Sequence, residues 1–123
     1  MTHSKIYFPP RLRSKGLGID FNNLSLSTSL SKEDSLRFNG SKIRVTVDGY
    51  GCDGKCEVLR CQVTDAPEEL KPLLKNHVNP NIVLSVRTMS DLIGSNNVWA
   101  SRIKPYDMEG ILEMVNKELE YCG

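Results

Sequence analysis

The sequence predicts an α+β protein: a mainly antiparallel sheet of about five or six strands, covered by a short kinked helix and an amphipathic C-terminal helix. Three observations predict it. Several runs alternate apolar and polar residues, Asn39-Gly40 offers a hairpin turn between two such runs, and an apolar stripe at helical spacing closes the chain.

The elements follow in order. Ile6-Tyr7-Phe8 reads as a short edge strand ended by Pro9-Pro10, because proline lacks an amide donor and restricts the residue before it. Leu24, Leu26, Thr28 and Leu30 alternate with Asn23, Ser25, Ser27 and Ser29, the period-two pattern of a strand with one buried face. Ser31 to Asp34 reads as a turn. Leu36-Arg37-Phe38 and Ser41 to Val47 flank Asn39-Gly40, which can supply the two positive-φ positions of a type I′ turn. Ile43, Val45 and Val47 then share the buried face, and Lys42, Arg44 and Thr46 the other. Asp48 to Gly51 ends this strand, and a second runs from Cys56 to Thr64. Asp65-Ala66-Pro67-Glu68 has the make-up of a helix start with a capping box. Pro72 removes an interior hydrogen bond, so that helix is short or kinked. Asn79-Pro80-Asn81 is a turn, Ile82, Leu84 and Val86 mark another strand, and Ser90 to Gly94 holds at most one helical turn. Residues 97–103 alternate again, with Trp99 and Ile103 on one face. Met108, Ile111, Leu112, Val115, Leu119 and Cys122 recur at helical spacing, opposite Glu109, Glu113, Asn116, Lys117 and Glu120.

At 123 residues the chain can bury one core. It reads as a single domain over 1–123, with a basic, proline-containing arm or edge strand over 1–19 and an α+β core over 20–123. The net charge of +1 lacks the basic excess of a dedicated duplex-DNA binder. No apolar run has membrane-spanning length, and the N-terminus lacks the apolar centre of a signal peptide. The expectation is a cytoplasmic protein with reduced thiols. Ala66 and Ala100 are its only alanines, a bias that accompanies A/T-rich coding sources, phage and viral ones among them.

Three of the four cysteines, Cys52, Cys56 and Cys61, lie close together, and Cys122 is next to last. Together they could form an all-thiolate zinc site, but structural zinc favours two close pairs and only Cys52 and Cys56 make one. That pair flanks Asp53-Gly54-Lys55 and could close a disulfide in an oxidising compartment. Lys55 beside Cys56 could lower a nucleophile's pKa, with His77 as base. Packing is the simplest reading. Leu59, Cys61 and Val63 share the core-facing side of their strand, Cys56, Val58 and Arg60 the other, and Cys122 ends the apolar stripe of the last helix.

Two groups of residues could bind a ligand. Lys5, Tyr7, Arg11, Arg13 and Lys15 form a basic arm with an aromatic that could stack on bases. Arg87, Trp99 and Arg102 could clamp a planar anion, although alternation puts Trp99 and Arg102 on opposite faces of their strand. Lys15-Gly16-Leu17-Gly18 offers backbone amides near positive charge, with no helix following to complete a phosphate site. The chain has no Walker A loop and no His-Glu-x-x-His. It therefore reads as a small non-catalytic binding protein without a cofactor, a protein–protein regulator or inhibitor able to self-associate through an exposed strand edge. The alternatives are a binder of nucleotides or single-stranded nucleic acid through the arm, and a zinc-binding or thiol-dependent protein.

Overall fold

The computed structural model describes residues 4–9, 14–21, 23–77 and 81–115. Its elements are β1 (Ser4–Phe8), β2 (Ile19–Asp20), β3 (Leu24–Ser27), α1 (Lys32–Arg37), β4 (Lys42–Cys52), β5 (Cys56–Asp65), α2 (Lys71–His77), β6 (Asn81–Val86), a 3-10 helix (Met89–Asn97) and β7 (Ser101–Met114). The fold is thus mostly antiparallel sheet with little helix. This corrects the expected helix-covered α+β architecture.

The strand order is β2-β6-β5-β4-β7-β1-β3, and every ladder among the described residues is antiparallel. Chain connectivity dictates the shape. Were the sheet flat, its two ends would be about 29 Å apart at 4.8 Å per strand. Those ends are β2 and β3, and Asp20 is only four residues from Leu24, a reach of about 14 Å at most. The sheet therefore rolls into a barrel. β2 runs antiparallel to β6 through Ile19↔Val86 and Asp20↔Ser85, Phe21 N donates to Leu84 O at 3.1 Å, and β3 then pairs with β1. The two short strands act as halves of one bent stave, which makes a closed ring of six. An antiparallel ring closes only with an even number of staves, and six satisfies this.

Inside lie Ile6, Leu26, Ile43, Val45, Val47, Leu59, Cys61, Ile82, Leu84 and Leu112, all buried. Leu70 and Leu74, from the segment that leads into and forms α2, plug one end together with Leu30 and Phe38, which flank α1. At Gly110 the wall has no room for a side chain, since an added Cβ would lie 2.7 Å from both Ile6 Cγ2 and the Phe8 ring. A buried chain of hydroxyls, Ser35 to Ser4 at 3.1 Å and Ser4 to Thr28 at 2.8 Å, ties α1 to the ends of β1 and β3.

The C-terminal correction is the largest. Residues 101–114 form β7, which pairs with β4 from Ser101 to Ile111 and with β1 from Ile111 to Met114. Leu112 is fully buried and Ile111 is exposed, which is strand alternation and not a helical stripe. Helical spacing and period two share positions over so short a window, and the ladders on both sides decide between them. Leu119 and Cys122, the end of the expected helical stripe, lie outside the described residues.

Asn39-Gly40 is also not a hairpin. Leu36 and Arg37 belong to α1, whose N-cap Ser31 accepts from Asp34 N at 3.2 Å, with Glu33 and Asp34 in its first turn and Arg37 in its last. Only Gly40 of the dipeptide has positive φ (86°), whereas a type I′ turn needs two such residues. The loop is sewn to β7 instead: Gly40 N donates to Leu112 O and Leu112 N to Ser41 O.

Pro72 sits second in α2, where no interior hydrogen bond is lost, so it does not kink the helix. β1 is an inner stave flanked by β3 and β7, not an edge. Among the described residues every strand but β2 and β3 is paired on both sides, so no long strand edge is open for self-association. No described helix is long and apolar enough to cross a membrane.

Candidate functional site

The barrel end opposite the helical plug is organised by Glu57. By period two it shares a face with Leu59 and Cys61, so its side chain points into the barrel, and it is fully buried. A bulge builds its surroundings. Val58 pairs with Val83 and Glu57 with Ser85, so Leu84 is an extra residue and Ser85 is turned inward. Ser85 Oγ donates to Glu57 Oε1 at 2.8 Å, Tyr50 OH to Oε2 at 2.5 Å, Ser14 Oγ to Oε1 at 2.6 Å, and Lys15 N to both oxygens at 3.1 and 3.0 Å. Residues 14–18 thus form a strap across the barrel end, and its contact with Glu57 leads directly into β2.

Three of the strap's amides are already engaged. Lys15 N goes to Glu57, Gly16 N to Ser14 Oγ at 2.9 Å and Leu17 N to Ser85 Oγ at 3.5 Å. Gly18 is seated where a Cβ would meet Arg87 O at 2.7 Å. With its first three amides turned inward to Glu57, Ser14 and Ser85, the Lys15-Gly16-Leu17-Gly18 segment does not form an amide cradle for a phosphate.

The electrostatics of this network oppose proton transfer near neutrality. Burial raises the Glu57 pKa, but the hydroxyls of Ser14 and Tyr50, the Lys15 amide and Ser85 outweigh it and hold the carboxyl below its usual range. Burial, reinforced by the Glu57 carboxylate, pushes the Tyr50 phenol well above its ordinary value. The arrangement holds a carboxylate ionised and a phenol neutral, as a structural clasp requires.

The residues singled out in the sequence are dispersed. Lys5 and Tyr7 are half-buried in β1, opposite Ser27 and Ser25 of β3, so they belong to the barrel wall and not to an arm. Arg11 and Arg13 lie outside the described residues. Lys15 is fixed by its backbone on Glu57, with Nζ 5.7 Å from the Tyr50 ring centroid. Arg87 follows β6 and is paired with Asp91 at 3.4 Å. Arg102 is in β7, three staves from β6 and so on the opposite side of the six-stave ring. Arg87, Trp99 and Arg102 therefore do not close on one ligand. Glu57 was missed, although the signal was present: it is the one charged residue on the face that alternation assigned to the core.

The cysteines also separate. Cys61 is inside the barrel, and burial, followed by the nearby Asp48, pushes its thiol up to about 12. Cys56 is on the outer face of β5, yet it is buried because the 3-10 helix covers it, and its Sγ donates to Asp91 O at 2.8 Å. Burial and then Asp53 and Asp91 raise its pKa. Cys52 is half-exposed, and none of the three forms a disulfide. Among the described residues no three metal-ligating side chains are grouped to hold an ion. Iodoacetamide near neutral pH is expected to label Cys52 before Cys56 or Cys61, as read by peptide mass spectrometry. Equal rates would show that the helix does not seal Cys56.

A second, smaller core mounts the 3-10 helix on the outside of the barrel. Cys56, Val58, Val86 and Val98 form it, with Phe21, Val83 and Leu92 packed against them. In a 3-10 helix every third residue shares a side, and Leu92, Ser95 and the following Val98 are the covered row. Thr88 N and Oγ1 donate to Asp91 Oδ2 at 3.0 and 2.8 Å and fix the helix start. The chain then crosses β4 where Gly51 has no side chain. Outside, this stretch leaves Met89 54%, Ile93 87% and Trp99 65% exposed. Compared with known families, with characterised proteins and with solved structures, the chain shows no match.

Proposed function

We propose that this chain is a non-catalytic protein-binding module whose docking surface is the 3-10 helix and Trp99. The observation that carries the reading is the exposure of Ile93 and Trp99, together with Met89 at the helix start, within eleven residues of a segment seated on the barrel through Leu92 and Val98. Single exposed apolar residues are ordinary. Three large ones on one short, well-mounted segment are the composition of a docking surface, and exposed tryptophan is enriched at binding hot spots. The remaining chemistry points the same way. The buried thiols are raised in pKa, and the buried carboxylate is fully engaged by the protein's own donors.

The test is quantitative affinity purification of tagged full-length chain from its native host. Wild type, Ile93→Asp with Trp99→Ala, and Leu36→Asp would be compared. Leu36 is 56% exposed on α1 and serves as the control. A partner recovered in fixed proportion by wild type and the control, and reduced at least tenfold by the double variant, supports the reading. The same proteins recovered equally by all three would overturn it.

A further inference from the structure

We infer that the partner segment docking at this surface is acidic and is held by Arg60 and Arg102; the inference rests on the protein-docking role proposed above. Arg60 of β5 and Arg102 of β7 both pair with Gly49 of β4, so the three residues form one row across the outer face of the barrel. At about 4.8 Å per strand the two arginine backbones stand about 10 Å apart, and they flank the crossing, since a Cβ on Gly49 would lie 3.3 Å from Ala100 Cβ. Both arginines are exposed. Among the described residues neither makes a salt bridge or side-chain hydrogen bond, while other surface cations do, as in Lys71–Glu68 at 3.2 Å and Arg87–Asp91 at 3.4 Å.

The acids closest along these strands face other groups. Asp48 Oδ2 accepts from Gln62 Nε2 at 3.0 Å while its Oδ1 is buried without a partner, and Asp107 accepts from Thr46 Oγ1 at 2.7 Å. Solvated arginines are the bland alternative, but two like charges in one row with no ion pair of their own repel each other, and an outside carboxylate relieves that repulsion. The row is also continuous with the docking surface. Ser101 pairs with Tyr50, so Arg102 comes directly after the Trp99–Ala100 crossing. An extended segment with an apolar residue on Trp99 would reach the arginines with a carboxylate a few residues on. A nucleic-acid backbone fits less well. It needs a continuous cationic track, and Asp107 and Glu109 interrupt this face of the barrel, opposite Thr46 and Arg44.

The experiment is selection of a phage-displayed library of random 12-residue peptides on the full chain, followed by fluorescence anisotropy of the enriched peptides. The expected consensus pairs an aromatic or aliphatic residue with two or more Asp or Glu. Affinity should fall at least tenfold on Arg60→Glu plus Arg102→Glu and weaken with added salt. A neutral or basic consensus, unchanged affinity of the double variant, or tighter binding of a 12-nucleotide oligothymidylate than of any selected peptide would overturn the inference. The same peptides measured on Ile93→Asp plus Trp99→Ala separate the two ideas. If they depend on the arginines and ignore that variant, acidic recognition stands and the proposed docking surface falls.

Discussion

Glu57→Ala is expected to destabilise the protein by on the order of 3 kcal/mol, since each orphaned buried donor costs about 1–3 kcal/mol. The substitution strands Tyr50 OH, Ser85 Oγ, Ser14 Oγ and the Lys15 amide together. Solvent can recover the last two if the strap lifts, so the loss should divide into a local opening and a global part. Urea denaturation measures the sum. Amide exchange of Lys15 and Leu17 measures the local share and should accelerate more than exchange in β4. Glu57→Gln keeps the shape and one acceptor, and should cost less. The pH dependence carries a definite sign. The folded pKa of Glu57 lies below its unfolded value of about 4.3, so its contribution is complete above that value and is lost as pH falls through the folded one. Wild type should lose stability on acidification through this window, and Glu57→Gln should lose less. Parallel acid limbs for the two proteins would refute the clasp.

Glu57 also shows what the sequence made legible. Period two over Cys56 to Thr64 correctly set Leu59 and Cys61 inward and Arg60 outward. It set Glu57 inward too, but a lone charge is discounted in a core face unless its partners are visible. Those partners come from residues 14, 50 and 85, on three other elements, and no local pattern announces them. β4, β5, β6 and the alternation from Leu24 to Leu30 were readable for the same reason, one buried face each.

The failures have physical causes as well. β7 could be taken for a helix because Met108, Ile111 and Leu112 fit the helical template, and only pairing with β4 and β1 overrules it. Gly110 was the available warning, since glycine inside a helix costs about 1 kcal/mol, and here it makes room for Ile6 and Phe8. The docking surface was half legible. Trp99 stands out in the sequence, but Ile93 does not, because a 3-10 helix has a period of three that does not match the 3.6-residue template. Barrel closure was not legible at all. It depends on residues 19–27 pairing with β6 first and β1 afterwards, a choice made by tertiary packing.

Gly51→Ala should produce the second large effect, a loss of about 3 kcal/mol, near the upper end for overpacking. The added Cβ would lie 2.4 Å from the Trp99 carbonyl oxygen, 3.0 Å from its carbonyl carbon and 3.1 Å from Val98 Cγ1. Two of these three atoms are backbone, so no rotamer change relieves the clash, and the crossing at residues 98–101 must lift away from β4. Lifting it withdraws Val98 from the small core with Cys56, Val58 and Val86, which is what seats the 3-10 helix. The effect should therefore spread along the outer face while the barrel interior keeps its packing. Trp99 is the only tryptophan in the chain, so its emission reports on the crossing alone. Gly51→Ala should shift that emission and speed alkylation of Cys56, while Cys61 inside the barrel stays protected. Gly94→Ala is the matched control, because nothing lies within 4 Å of a Cβ there and its φ is not in the left-handed region. It should be neutral or stabilising by up to about 1 kcal/mol. Wild-type stability and emission in Gly51→Ala would mean that the chain does not cross β4 at this glycine, and the proposed docking surface would lose its mounting.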